Sequence, residues 1–208
     1  MSTKLASDPH SSALDEETAR AEVYGLLAAI YYAPPTPDIL AQLRVAATAA
    51  PTPGAFLQEP WRDLVAAART CSDAAIRDEY NTLFGGMGKP EVYLFGSHYL
   101  SGFLNEKPLA ALRGDLARLG LTRMDAMSDT EDHIAYLSEV MRYLIAGDDV
   151  AVANLTAQRK FFADHMQPWV LAMCDAISTH PKAKFYGALA EFTRAFVSVE
   201  TQGFDMLA

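Results

Sequence analysis

The chain has 208 residues, half of them hydrophobic and 21% charged, with a formal charge of −9 at pH 7. That composition carries enough apolar material for one packed core, and its acidity argues against a nucleic-acid binder, which needs clustered Lys and Arg. Two cysteines, Cys71 and Cys174, are too few for a disulfide scaffold or a four-cysteine zinc site, so a reduced cytoplasmic protein is the simplest reading.

Nearly every segment reads as helix. Alanine and leucine dominate, and alternating β-branched residues are scarce. Residues 1–14 are polar and include Pro9. They lack the apolar run of a secretory signal and are taken as a flexible N-terminal segment, leaving 15–208 as one helical domain. The first helix starts near Ser12 or Asp15 and runs to Tyr32, with Val23, Leu26, Leu27, Ile30 and Tyr31 at helical spacing. Its apolar run is too short to span a bilayer. Thr36-Pro37-Asp38 supplies an N-cap, a proline at the first helical position and an acid for the positive helix end. That second helix carries Ile39, Leu40 and Leu43. A third follows Pro60, with Trp61, Leu64, Val65 and Ala68 on one side, and Ser72 caps a fourth through Ile76, Tyr80, Leu83 and Phe84.

From Gly85 to about Gly102 the chain reads as one long irregular stretch rich in glycine and aromatics. Such loops in compact domains tend to be functional. Pro108 opens a helix with Leu109, Leu112, Leu116 and Leu119, stopped by Gly120. Ser128 and Glu131 form an S-x-x-E capping box. It heads a helix carrying Ile134, Leu137, Val140, Met141, Leu144 and Ile145, and Gly147 ends that helix. Two helices flank Gln167-Pro168-Trp169, and a last one runs from about Lys182 to Gln202. The expected architecture is an all-α, single-domain bundle of about nine or ten helices.

Familiar catalytic patterns fail. Gly85-Gly86-Met87-Gly88-Lys89-Pro90 lacks both the first glycine of a Walker loop and the Ser or Thr that holds magnesium. None of the five histidines stands three residues after a glutamate, and H-E-x-x-H and G-x-S-x-G are missing. No metal, cofactor or catalytic residue is therefore expected. Three constellations survive. Asp129-Thr130-Glu131-Asp132-His133 falls in the first turn of the Ser128 helix. There the acids suit the helix dipole, Asp132 points to the surface, and His133 begins the apolar stripe. The glycine-aromatic loop offers Leu83, Phe84, Gly96, Ser97 and Tyr99 as a lid on the core or as walls for an apolar peptide. Phe161-Phe162-x-x-His165-x-x-Pro168-Trp169 reads as core at a helix junction.

In order and together, these stretches resemble the TorD/DmsD family of molybdoenzyme maturation chaperones. The matching residues are Tyr80-x-x-Leu83-Phe84, Gly96-Ser97-x-Tyr99, Asp132-His133, Phe161-Phe162-x-x-His165-x-x-Pro168-Trp169 and Phe185-Tyr186. The resemblance spans roughly Arg20 to Glu200. It departs from the family pattern where Asp129-Thr130 replaces Glu-Pro. It implies a TorD-like helical fold and a non-catalytic cytoplasmic chaperone. Such a chaperone binds the apo-form of a DMSO-reductase-type enzyme, its twin-arginine leader, or both. It would thereby assist molybdopterin insertion and delay export until the enzyme is folded. Carried over by position, the partner-binding residues would be Leu83, Phe84, Gly96, Ser97, Tyr99, Asp129, Asp132 and His133, on a monomer or homodimer without nucleic acid or stable membrane insertion. An acidic groove with apolar walls suits a leader with two guanidinium groups and an apolar stretch. A weak nucleotide-binding or hydrolysing helical protein is the alternative, and the failed Walker pattern counts against it.

Overall fold

The computed structural model describes residues 9–48, 57–85, 89–104, 107–123 and 129–206. Within them lie ten helices: α1 Pro9–Tyr32, α2 Pro37–Val45, α3 Gln58–Thr70, α4 Asp73–Leu83, α5 Gly96–Ser101, α6 Lys107–Arg118, α7 Ile134–Ala146, α8 Leu155–His165, α9 Val170–Ser178 and α10 Phe185–Asp205. Their only extended pairing is one isolated bridge, so the all-α bundle read from periodicity is the fold among the described residues. No helix among them is long and apolar enough to cross a membrane.

Local rules set most boundaries. Thr36 caps α2 by accepting from Ile39 N, and Ser72 caps α4 by accepting from Ala75 N. Gly120 stops α6 in the left-handed region at φ 71°, where Gly120 N and Leu121 N satisfy carbonyls of the last turn. The first helix begins at Pro9 and so takes in residues 9–14; residues 1–8 lie outside the described residues.

The core forms where α1 packs on α7, and where α10 packs on α3, α4 and α9. Tyr24, Leu27, Ile30 and Tyr31 of α1 are buried, as are Phe185, Leu189, Phe192 and Phe196 of α10. Polar ties fix the register of these long helices. Arg20 grips Glu200 with two bonds of 2.8 Å, Tyr24 donates to the same carboxylate at 2.9 Å, and Tyr31 shares a hydrogen bond with Thr193. Trp169 is 1% exposed, beside buried Phe161 and Phe162, so the aromatic junction between α8 and α9 is core, as its sequence suggests.

Two expectations need correction. The stretch 85–102 is not wholly irregular, because α5 forms inside it. The helix after residue 128 starts later than its capping-box pattern indicates, at Ile134. Both differences have one cause, which is the junction described next.

Candidate functional site

The approach to α5 and the approach to α7 meet as an antiparallel bridge, with Phe95 opposite His133. Gly96 N donates to Asp132 O at 3.0 Å, and Ile134 N donates to Leu94 O at 2.9 Å. These two bonds bring the Gly-Ser pair and the Asp-His pair, distant in sequence, into one junction.

Asp132 does not point to the surface. It is 4% exposed, with Oδ2 accepting from Ser97 N at 2.8 Å and Oδ1 accepting from Thr130 Oγ1 at 2.6 Å. A buried carboxylate needs such partners. In return it supplies an acceptor to the first turn of α5, whose N-cap position is Phe95 and provides no side-chain cap. This explains why a six-residue helix forms where the local sequence signals a loop. It also gives the departure at Thr130 a function, since its hydroxyl binds the carboxylate where a proline could not.

His133 is the N-cap of α7, its Nδ1 accepting from Ala135 N at 3.1 Å. Residues 129–133 thus precede the helix instead of forming its first turn, and Ser128 lies outside the described residues. Glu131 serves no capping box; its carboxylate pairs with Arg113 of α6 at 2.9 Å. Burial pushes the His133 pKa down to about 4, against the pull of the nearby Asp129 and Asp132 carboxylates. The imidazole is therefore neutral at pH 7. Because Nδ1 accepts, its proton sits on Nε2.

Gly96 belongs to this junction because of close approach. A Cβ there would lie 2.9 Å from Trp169 Nε1. Trp169 donates to His165 O at 2.6 Å, and Tyr99 stacks on its ring at 5.6 Å while donating to Tyr93 O. Leu83 is fully buried, and its carbonyl accepts from Val92 N at 2.8 Å to close the neck of the preceding loop. Residues 86–88 of that loop, the centre of the failed phosphate-loop pattern, lie outside the described residues.

From the junction outward runs a chain of rings, most of them half-buried. Phe84 meets Tyr80 at 5.3 Å, and Tyr80 donates to Tyr32 O at 2.9 Å. The Tyr32 ring lies 5.8 Å from Tyr136, Tyr136 lies 5.7 Å from His133, and His133 meets Phe95 edge-on at 4.9 Å. Tyr32 is 46% exposed. Half-buried Asp129 adds negative charge that acts on Tyr80, His133 and Tyr136; with burial as the leading cause, the two phenols are pushed up to about 12.

The sequence-derived residues thus divide. Leu83, Gly96, Ser97, Asp132 and His133 are buried and shape the junction. Tyr99 braces it against Trp169, while Phe84 and Asp129 belong to the outer face. Tyr32 and Tyr136 escaped the sequence reading. Tyr136 stands one helical turn after His133, which could have signalled it; Tyr32 carries no local signal.

Residues 53–175 match the family model described as the nitrate reductase delta subunit, more than half of the chain and all of this junction. The chain belongs to that family. It is a family of molybdoenzyme maturation chaperones, not of catalysts, and the TorD/DmsD resemblance of the motifs agrees with it. Family members act with molybdoenzyme subunits, so a partner of that kind is the coarse functional assignment. A comparison with curated proteins finds no match.

Proposed function

We propose that this family member works in the cytoplasm and binds the apo-form of a DMSO-reductase-type molybdoenzyme, its twin-arginine leader, or both. It would assist molybdopterin insertion and delay export until the enzyme is folded. The reading rests on the ring chain Phe84–Tyr80–Tyr32–Tyr136–His133–Phe95 with Asp129 beside it. Aromatic faces and a carboxylate are the two groups that attract a guanidinium, and half-buried rings also accept apolar side chains. The net charge of −9 favours encounter with a cationic segment. In this division of labour Asp129 and Phe84 touch the partner. Leu83, Gly96, Ser97, Tyr99, Asp132 and His133 hold the face in shape.

Calorimetric titration with a leader peptide bearing two arginines and an apolar stretch tests the proposal. Asp129→Asn is expected to weaken binding by about 1.5–3 kcal/mol, the worth of a charge-assisted hydrogen bond, with affinity compared on folded protein verified by thermal melting. Equal affinity of wild type and variant would remove Asp129 from the contact. Failure of wild type to bind the leader while it captures the apoenzyme would assign recognition to the mature fold.

A further inference from the structure

Behind the junction, between α5, α6 and α8, lies a cavity of about 210 Å³ whose walls include Ser97, Asp115, Asp132, Asp164, His165 and Trp169. We propose that this cavity binds a first-row divalent metal ion through Asp115, Asp164 and His165. One donor atom from each of the three lies within 4.8 Å of the other two, and His165 Nε2 is 2.8 Å from Asp115 Oδ2. Metal bonds to imidazole and carboxylate are about 2.0–2.2 Å, so donors around a tetrahedral ion stand about 3.4 Å apart. The His165–Asp115 pair opens by about half an ångström and Asp164 closes in by at most about 1.4 Å to reach that spacing.

A simple tie between helices would account for the His165–Asp115 hydrogen bond. It leaves unexplained the Ser97 hydroxyl, which is fully buried on the same cavity and has no hydrogen-bond partner. Buried hydroxyls without partners are rare, and a metal-bound water is a group that would supply one. Asp132 adds a further negative charge to the wall although both its oxygens are engaged. Two cations compete from outside: Arg118 on Asp115 and Lys160 on Asp164. Both are mostly exposed partners within one helix, the kind of pair that contributes little and yields readily.

The chemistry of the donors selects the ion. His165 offers its Nε2 beside Asp115 Oδ2 on the cavity wall, so the imidazole is placed to ligate. Coordination through Nε2 breaks the hydrogen bond to Asp115, in which Nε2 is the donor; the ring's single proton moves through solvent from Nε2 to Nδ1, and the Asp115 oxygen is freed for the ion. One imidazole with two carboxylates suits Zn²⁺ or Co²⁺ better than calcium or a cuprous ion. Short-range ligand spacing misses this site because Asp115 comes from α6 and Asp164-His165 from the end of α8.

The full chain, freed of metal with chelator, is titrated with Zn²⁺ by calorimetry and with Co²⁺ by visible absorption. One saturable site per chain is expected, with cobalt d–d bands and a raised melting temperature in zinc. Asp164→Asn changes an exposed residue and should spare the metal-free fold, yet weaken binding at least about tenfold. His165→Gln should abolish it. Glu91→Gln, beside the surface His180, should leave affinity unchanged. Absence of saturable binding at millimolar ion, or wild-type affinity in Asp164→Asn, overturns the proposal, as does loss of binding in Glu91→Gln.

Discussion

Helices α5 and α10 both begin under a carboxylate borrowed from another part of the chain, and the loans serve different ends. Neither N-cap residue, Phe95 or Lys184, provides a side-chain acceptor. Glu79 of α4 receives Lys184 N, Phe185 N and Tyr186 N at 2.8, 3.1 and 2.8 Å, launching the 21-residue helix that fills much of the core. The Asp132 carboxylate receives a single α5 amide, that of Ser97, on a helix of six residues whose far end is exposed. The first carboxylate holds the bundle together, whereas the second aims a short surface segment. A common local device can therefore carry global stability in one place and site geometry in another.

Removing the first carboxylate should have the largest effect. Glu79→Ala strips three amides of their acceptor, and a loss of about 3–5 kcal/mol in urea denaturation is expected, with leader affinity of the folded fraction preserved. Near-wild-type stability would break the contrast. Acid should act next, through His133. Its folded pKa of about 4 lies below the ordinary 6.5, so below pH 6.5 the unfolded chain takes up a proton that the folded chain refuses. Stability should be flat above that pH and fall by roughly 3 kcal/mol on the way to pH 4. Urea midpoints at pH 7 and pH 4.5 measure it, and His133→Gln should flatten the difference.

Gly96→Ala sharpens the contrast from the second side. Its new methyl meets the Trp169 indole, so a loss of about 1–3 kcal/mol is expected together with a changed near-ultraviolet dichroism signal from Trp169. Asp132→Asn should be mildest. The amide keeps an acceptor oxygen and loses the charge, giving a drop of about 1 kcal/mol in chemical denaturation. A drop as large as that of Glu79→Ala would mean that the two carboxylates do the same work.

The fold was legible wherever a helix announces itself locally. Thr36-Pro37, Ser72 and Gly120 mark their boundaries through their own backbone and side-chain chemistry, and the stripes of α7 and α10 name their buried faces. What stayed hidden was action at a distance. Nothing near Gly96 tells of an acceptor at Asp132, so α5 read as loop. Nothing near Ser128 tells that His133 will cap α7 while Glu131 turns to Arg113, so the helix start was read too early. The candidate residues were singled out together through their resemblance to a family, but their division into buried supports and an outer face was not legible. That division depends on which carboxylate finds an amide inside the fold, and Asp132 finds one.

The bridge between Phe95 and His133 also fixes a chain-entropy relation. Everything from Gly96 to Asp132, α6 included, departs from and returns to a neck closed by two backbone hydrogen bonds and one carboxylate. The entropy released by opening a closed excursion grows only slowly with its length, so the strength of the neck governs how often it opens. α6 is tied to the rest of the bundle chiefly through α5, Glu131 and His165. The amides of Gly96, Ser97 and Ile134 should consequently exchange with solvent at a common rate, faster than the α1–α7 core, as one cooperative opening unit.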